Sequence, residues 1–304
     1  MIHHSRHTAT RYVRRRLSVV AALIFMALPS QAQVDLFVGA DLAYADVNFS
    51  RLYDYMVTLT PSAKWAPATD WLLSTELWVP MMSDGYASRE TRIRLVNATV
   101  ARQVHFQAAR QHFKFTAGLF SRRRYGIDAK WMWPVNDWLL LQAQAGLTDY
   151  YWMAIDETRF SKSSWRTTAV AGCNVWLHPW QTELRLQGGR YIDDDWGMEG
   201  SVYRHFKHCS VGLYANVYDN NDNKGSKRYH SGGGFKVVMM LPPYRRSQAK
   251  VRLRPASNFR LTYSAKANSS ATTLYATDIE ENERQLSVDV DWGLNETLNP
   301  SRQQ

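Results

Sequence analysis

Apolar and polar residues alternate one by one along much of this chain, the pattern of a sheet whose two faces meet different surroundings. Over residues 34–42, Val34, Leu36, Val38, Ala40 and Leu42 share one face, with Asp35 and Asp41 on the other. Over 139–147, Leu139, Leu141, Ala143, Ala145 and Leu147 oppose Gln142 and Gln144. Residues 181–187 set Leu184 and Leu186 against Glu183, Arg185 and Gln187. Residues 250–254 set Val251 and Leu253 against Lys250, Arg252 and Arg254. The pattern returns over 258–264, and over 285–292 with Leu286, Val288, Val290 and Trp292 opposite Ser287, Asp289 and Asp291. Weaker alternation over 51–60, 71–79, 91–104, 112–120, 165–177, 196–205, 208–218 and 232–240 brings the expected total to about 12–14 strands.

Turn chemistry separates these stretches at Ser83-Asp84-Gly85, in the polar run 219–225, at Leu241-Pro242-Pro243-Tyr244 and at Asn268-Ser269-Ser270. The stretch 121–136, with its run of Arg and its Trp residues, reads as a longer loop, and 295–304 as a disordered tail. No repeat and no linker divides the chain, so 33–294 is expected to form one all-β domain.

The first 32 residues follow another rule. Arg11, Arg14, Arg15 and Arg16 precede an apolar run over 17–28, and Ser30-Gln31-Ala32 supplies a small-residue cleavage site. This reads as a secretory signal peptide, too short for a spanning helix. Without its five Arg the chain keeps 32 basic against 27 acidic residues, a charge of +5. That surplus permits attraction to anionic lipopolysaccharide or an acidic polymer, and export argues against a nucleic-acid partner. All 12 Trp and 15 of the 16 Tyr lie after residue 32, and such amphipathic rings favour the headgroup level of a membrane.

Two architectures fit the alternation. A single antiparallel transmembrane β-barrel turns apolar faces to lipid, whereas a soluble periplasmic β-sandwich that binds carbohydrate turns them inward. Export, strand number, aromatic content and polar tips favour the barrel in the bacterial outer membrane. Glu183, Arg185, Gln187, Arg252, Asp289 and Asp291 are then expected to line its lumen.

Candidate chemistry is sparse. Asp193-Asp194-Asp195 followed by Trp196 offers carboxylates for a cation or sugar hydroxyls and a ring face for a sugar at the barrel rim, but a solvated hairpin tip closed by Gly197 is the preferred reading. The cluster lacks the spaced oxygen ligands of a calcium loop. His205 and His208 are an odd step apart, so on a strand they face opposite sides and share no metal. Arg122-Arg123-Arg124 and Tyr244-Arg245-Arg246 read either as holders of lipopolysaccharide phosphates or as ordinary charged loops. Gly232-Gly233-Gly234 lacks the continuation of a phosphate loop, and no cofactor is expected. No Ser/His/acid set is legible along the chain. An outer-membrane enzyme acting on lipid or polysaccharide is the alternative function, drawing on His178, His205, His208 or His230. The two cysteines, Cys173 and Cys209, either pair in an oxidising periplasm or stay as separate thiols.

Residues 188–255 carry a resemblance. Gly189-Arg190-Tyr191 and then Asp195-Trp196-Gly197 open a strand, and Tyr203-Arg204-His205-Phe206 gives a basic-aromatic segment. Val211-Gly212 with Tyr214, the Gly-rich entry at 232–234, the Leu241-Pro242 ending and Arg252-Leu253-Arg254-Pro255 complete the pattern. The segment resembles the YjbH-type outer-membrane proteins associated with exopolysaccharide production. The resemblance implies an outer-membrane barrel in polysaccharide export or surface assembly, as conduit or accessory. Its implied partners are outer-membrane lipid, a polysaccharide chain and other export components. It implies no enzyme.

Overall fold

The computed structural model describes residues 33–45, 54–68, 70–219, 229–240, 251–255, 258–264 and 274–279. The expected signal peptide, the strand over 285–292 and the tail over 295–304 lie outside these residues, as do Asp289, Asp291 and Tyr244-Arg245-Arg246. The strands are β1 (Gln33–Ala45), β2 (Asp54–Ala68), β3 (Trp71–Asp84), β4 (Arg94–Phe106), β5 (Gln111–Phe120), β6 (Arg124–Pro134), β7 (Leu139–Met153) and β8 (Thr158–Phe160). They continue as β9 (Arg166–Leu177), β10 (Thr182–Arg190), β11 (Trp196–His205), β12 (Cys209–Asp219), β13 (Tyr229–Met240), β14 (Val251–Pro255) and β15 (Asn258–Ser264). Among the described residues no helix is long and apolar enough to cross a membrane.

All the strands join one sheet, in which β1 to β13 pair antiparallel in chain order, with β8 hanging on β7 alone. β14 pairs parallel with β1, Leu36 opposite Leu253. β15 pairs antiparallel with β13, Val237 opposite Leu261. Two consecutive strands, separated only by residues 256–257, thus pair with opposite ends of the antiparallel run.

On several strands apolar residues are exposed and polar ones are buried. On β12 Val211, Leu213 and Val217 are exposed while Ser210 and Asn216 are buried, Leu213 at 66% against Ser210 at 0%. On β10 Leu184 and Leu186 are exposed and Glu183 is buried. On β4, Val100 faces out while Asn97 and Thr99 face in. An apolar side chain left in water forfeits about 1.5–3 kcal/mol of burial, and the sheet repeats such exposure on strand after strand.

Within the stretch 121–136, expected as a loop, residues Arg124–Pro134 form the strand β6. Tyr125, Ile127, Ala129, Trp131 and Trp133 alternate with Arg124, Asp128 and Lys130, and Ile127 is exposed while those three charged residues are buried. A high charge content reads as a loop only where water is assumed to lie on at least one face. Here the charges belong to the buried face.

Curvature is written into glycines. Gly118 of β5 and Gly126 of β6 oppose each other in register, with φ of +140° and +150°. A Cβ on Gly126 would stand 2.1 Å from the Leu147 carbonyl oxygen. Neither the dihedral nor the contact suits an L side chain, and such kinks bend sheets. Gly126→Ala is therefore expected to destabilise the protein by at least ~2 kcal/mol, checked as a fall in its thermal transition.

Candidate interior site on the enclosed face

The inward residues of β7, β9, β10, β11 and β12 form a continuous hydrogen-bonded array. Glu183 is fully buried and accepts from Arg185 Nη2 at 2.7 Å, Asn174 Nδ2 at 2.9 Å and His205 Nε2 at 2.9 Å. A carboxylate only accepts, so Nε2 carries a proton, and Nδ1 lies 2.8 Å from the Ser210 hydroxyl. Gln142 Nε2 extends the array to Asn174 Oδ1 at 3.2 Å. The rings of Trp176 and Tyr203 lie on the imidazole, with centroids 5.4 and 6.2 Å away. In register Tyr203 lies over Gly212, where a Cβ would meet its ring at 2.3 Å.

Residues 274–279 belong to no strand and lie against the same buried face. Tyr275 donates to Asp128 Oδ2 at 2.7 Å and stands 3.2 Å from Thr168 Oγ1. Its ring stacks on Phe120, with centroids 5.0 Å apart and planes 9° apart. Ala276 exchanges two bonds with Ser121, N to Oγ at 2.7 Å and O from N at 3.1 Å. The Thr277 carbonyl accepts from Thr99 Oγ1 at 3.1 Å. Asp278 is bridged by Lys64 at 2.8 Å and Lys114 at 3.4 Å. The segment thereby touches β2, β4, β5, β6 and β9. Gly146 of β7 makes room for it, since a Cβ there would lie 1.8 Å from the Tyr275 hydroxyl.

At the end of the sheet where β5 and β6 join, the acidic run is engaged by arginines. Arg124 Nη2 reaches Tyr150 Oη at 2.8 Å and Asp193 at 3.4 Å. Asp194, at φ +68°, pairs with Arg190 at 2.8 Å and Arg166 at 3.6 Å. Asp195 is buried. The run forms the turn between β10 and β11, with the Asp193 and Asp194 side chains 35% and 34% exposed. Trp196 is 60% exposed on the opposite, outer face, away from the carboxylates. Burial pushes the neighbouring Tyr191 phenol above its ordinary range, and the Glu199 charge adds to this.

The basic run divides likewise. Arg124 is fully buried, and Arg123 pairs with Glu90 at 3.1 Å and lies 4.8 Å over the Trp152 ring, which Arg89 and Arg94 also face at 4.6 and 5.3 Å. Arg122 and Arg123 both hold positive φ, 58° and 61°, in a turn that ordinarily takes Asn and Gly. Each such residue costs about 1–2 kcal/mol. Arg122→Asn, which keeps the Arg123 contacts, is expected to raise stability by up to ~1 kcal/mol, read as an upward shift of the unfolding midpoint.

Sequence reasoning thus places Glu183 and Arg185 in the array, and Gln187 two positions further along the same strand. Arg252 lies on β14 opposite Asp35. The array's other members, Asn174, His205 and Ser210, come from other strands, and residues 274–279 carried no signal beyond lying between two expected strands. Cys173 and Cys209 are both free: they sit on β9 and β12 with two strands between, about 14 Å at the usual strand spacing and beyond disulfide reach. Among the described residues no group of His, Cys, Asp and Glu is arranged to hold a metal ion.

No protein-family model matches this chain, and no curated protein matches it.

Proposed function

We propose that this protein is a bacterial outer-membrane β-barrel that takes part in export or surface assembly of an exopolysaccharide, as an accessory and not as an open conduit. The observation that carries the reading is the inverted sheet, with polar residues enclosed and apolar residues outside. A carbohydrate-binding sandwich needs those apolar residues turned inward.

The topology supports closure. In a flat sheet β1 and β13 would lie about 50 Å apart. The strands that pair with them end and begin at Pro255 and Asn258, three positions apart, a reach of about 10 Å. Twelve strands, β1 to β13 without β8, pair antiparallel in chain order, and β14 and β15 pair with their two ends. A barrel with an odd number of strands needs one parallel pair, and the parallel pairing of β14 with β1 is compatible with that.

The placement of aromatics supports a membrane. Trp71, Phe106, Trp138, Trp180 and Phe206 are exposed at the connections β2–β3, β4–β5, β6–β7, β9–β10 and β11–β12, which share one end of the sheet. Trp165, Trp196 and Tyr229 are exposed at the other end. Two such belts match the two interfaces of a bilayer. The first end has the shorter connections, as the periplasmic end of such barrels does, which supports assigning it there.

The link to exopolysaccharide rests on the resemblance over 188–255, and the accessory role on residues 274–279 filling part of the interior. Membrane fractions run unboiled and boiled on a denaturing gel test the barrel: a heat-shifted band that needs detergent for extraction is expected, and an unshifted band in the periplasmic supernatant would overturn it. Deletion of the gene tests the role, with loss of surface polysaccharide expected.

One observation favours an enzyme as a second reading. Ser210, His205 and Glu183 stand in the order hydroxyl, imidazole, carboxylate, as in acyl transfer. Ser210 is wholly buried, so this reading requires the wall to open. We therefore treat the array as the structural cement of the barrel interior.

A further inference from the structure

We propose that the arginine cluster around Trp152 is a docking site for an acidic polysaccharide at the outer mouth of the barrel. The proposal rests on the exopolysaccharide barrel reading above and names the class of polymer that such a barrel takes.

Three connections build the cluster, at the end of the sheet opposite the short connections: residues 85–93 between β3 and β4, 121–123 between β5 and β6, and 154–157 between β7 and β8. β7 runs past the β5–β6 turn and reaches β4. Tyr151 N donates to the Arg123 carbonyl at 2.9 Å, Ala154 bridges Arg94, and Ile155 N donates to the Ile93 carbonyl at 3.2 Å. Trp152 is thereby held in place and buried. On β7 it continues the row of Thr148 and Tyr150, which takes the buried face beside Arg124.

The guanidinium groups of Arg89, Arg123 and Arg94 lie over the Trp152 ring at 4.6, 4.8 and 5.3 Å. Glu157 receives Arg89 at 3.4 Å, Arg92 at 3.3 Å and Arg159 at 2.8 Å. Arg92 also meets Asp156 at 2.9 Å, and Arg123 meets Glu90 at 3.1 Å. Arg94 donates to the Glu90 carbonyl oxygen at 2.6 Å. Among the described residues these contacts gather five guanidinium groups against three carboxylates, an excess of two positive charges. The carboxylates hold the cluster together without neutralising it. A surplus of one sign in a walled mouth focuses the field and draws in ions of the other sign.

Donors remain for such an anion. A guanidinium carries five N–H groups. Arg89 gives one to Glu157 and Arg123 gives one to Glu90, and both side chains are half-exposed. The ring beneath fixes their planes and leaves their edges to meet a carboxylate in pairs. Two features select a polymer. The charges are spread over three connections, which suits a ligand that repeats its own charge. They also lie on the side of the sheet opposite Ile127, Leu147 and the other exposed apolar residues, so a lipid phosphate whose acyl chains rest on that outer face is the poorer occupant. Arginines already cover the Trp152 ring, so recognition runs through charge and a neutral glycan gains nothing there.

The test uses the full-length protein in detergent, with oligogalacturonate and a malto-oligosaccharide of equal length as probes, read by calorimetry. The wild type is expected to prefer oligogalacturonate, with an affinity that falls as salt rises. Arg89→Gln with Arg123→Gln is expected to weaken that binding at least ~10-fold. Glu157→Gln, which keeps the arginines and removes a competing carboxylate, is expected to strengthen it. Arg159→Gln, at a side chain 74% exposed on β8, replaces the double variant if that variant loses the heat-shifted band, and is expected to weaken binding in the same direction. Equal binding of the two probes, or unchanged binding in an arginine variant that keeps the heat-shifted band, would overturn the site while leaving the barrel intact. A double variant that loses binding to lipopolysaccharide micelles but keeps oligogalacturonate would overturn it too, in favour of a lipid phosphate. A wild-type protein without the heat-shifted band would instead remove the barrel on which the site rests.

Discussion

Glu183→Ala is expected to be among the most damaging single substitutions in this protein. Glu183 accepts hydrogen bonds from Arg185, Asn174 and His205, and all of these groups face the enclosed side of the sheet. Removing the carboxylate strands a guanidinium, an amide and an imidazole where little water reaches them. Breaking a buried charge pair by deleting one partner typically costs about 3–5 kcal/mol. Glu183→Gln keeps the shape and one acceptor but loses the charge, and should cost less, about 1–3 kcal/mol. The temperature at which the folded band converts to the unfolded one on a gel reads both. The expected order is wild type, then Gln, then Ala. An alanine variant that converts within a degree or two of wild type would show that Arg185 and His205 find other partners.

Gly146→Val is expected to have the largest effect on the interior. Valine suits a strand, so β7 itself should tolerate the change. Its Cβ, however, would fall 1.8 Å from the Tyr275 hydroxyl, and Asp128 Oδ2 and Thr168 Oγ1 would each lie 3.1 Å from it. The phenol has to leave, and with it goes a hydrogen bond to a carboxylate worth about 1.5–3 kcal/mol. Residues 274–279 should then separate from the wall. In planar bilayers the variant is expected to pass more ionic current than the wild type, because part of the lumen is vacated. Equal currents in the two proteins would mean that the segment stays in place or does not limit passage.

Legibility along the chain followed the number of contacts each feature needs. Strands such as 258–264 and 196–205 were read with their true bounds, because alternation is local and survives without knowledge of the partner strand. β6 was missed because Arg124, Asp128 and Lys130 belong to an enclosed face, which composition assigns to water. Glu183 and Arg185 were legible as one face of one strand. Their company was not, since Asn174, His205 and Ser210 arrive from β9, β11 and β12 through register alone. The acidic run at 193–195 was visible, but the arginines that claim it come from β6, β9 and β10. Residues 274–279 show no periodicity, and their place is decided by single contacts to strands as distant in sequence as Lys64. Sequence pattern reports which face a residue takes, and it is silent on what fills the space that those faces enclose.

The account stands most directly on the medium that meets the outer face. Single nitroxide labels at each position from 210 to 218, in a protein with Cys173 and Cys209 replaced by Ser and reconstituted in lipid, measure that medium residue by residue. The account predicts that labels at 211, 213, 215 and 217 are relaxed by oxygen, which concentrates in lipid, and shielded from a water-soluble nickel complex. The even positions should be reached poorly by both or by the nickel complex alone. Labels at the odd positions that respond to the nickel complex, or that are immobile and shielded from both reagents, would contradict a lipid-facing sheet.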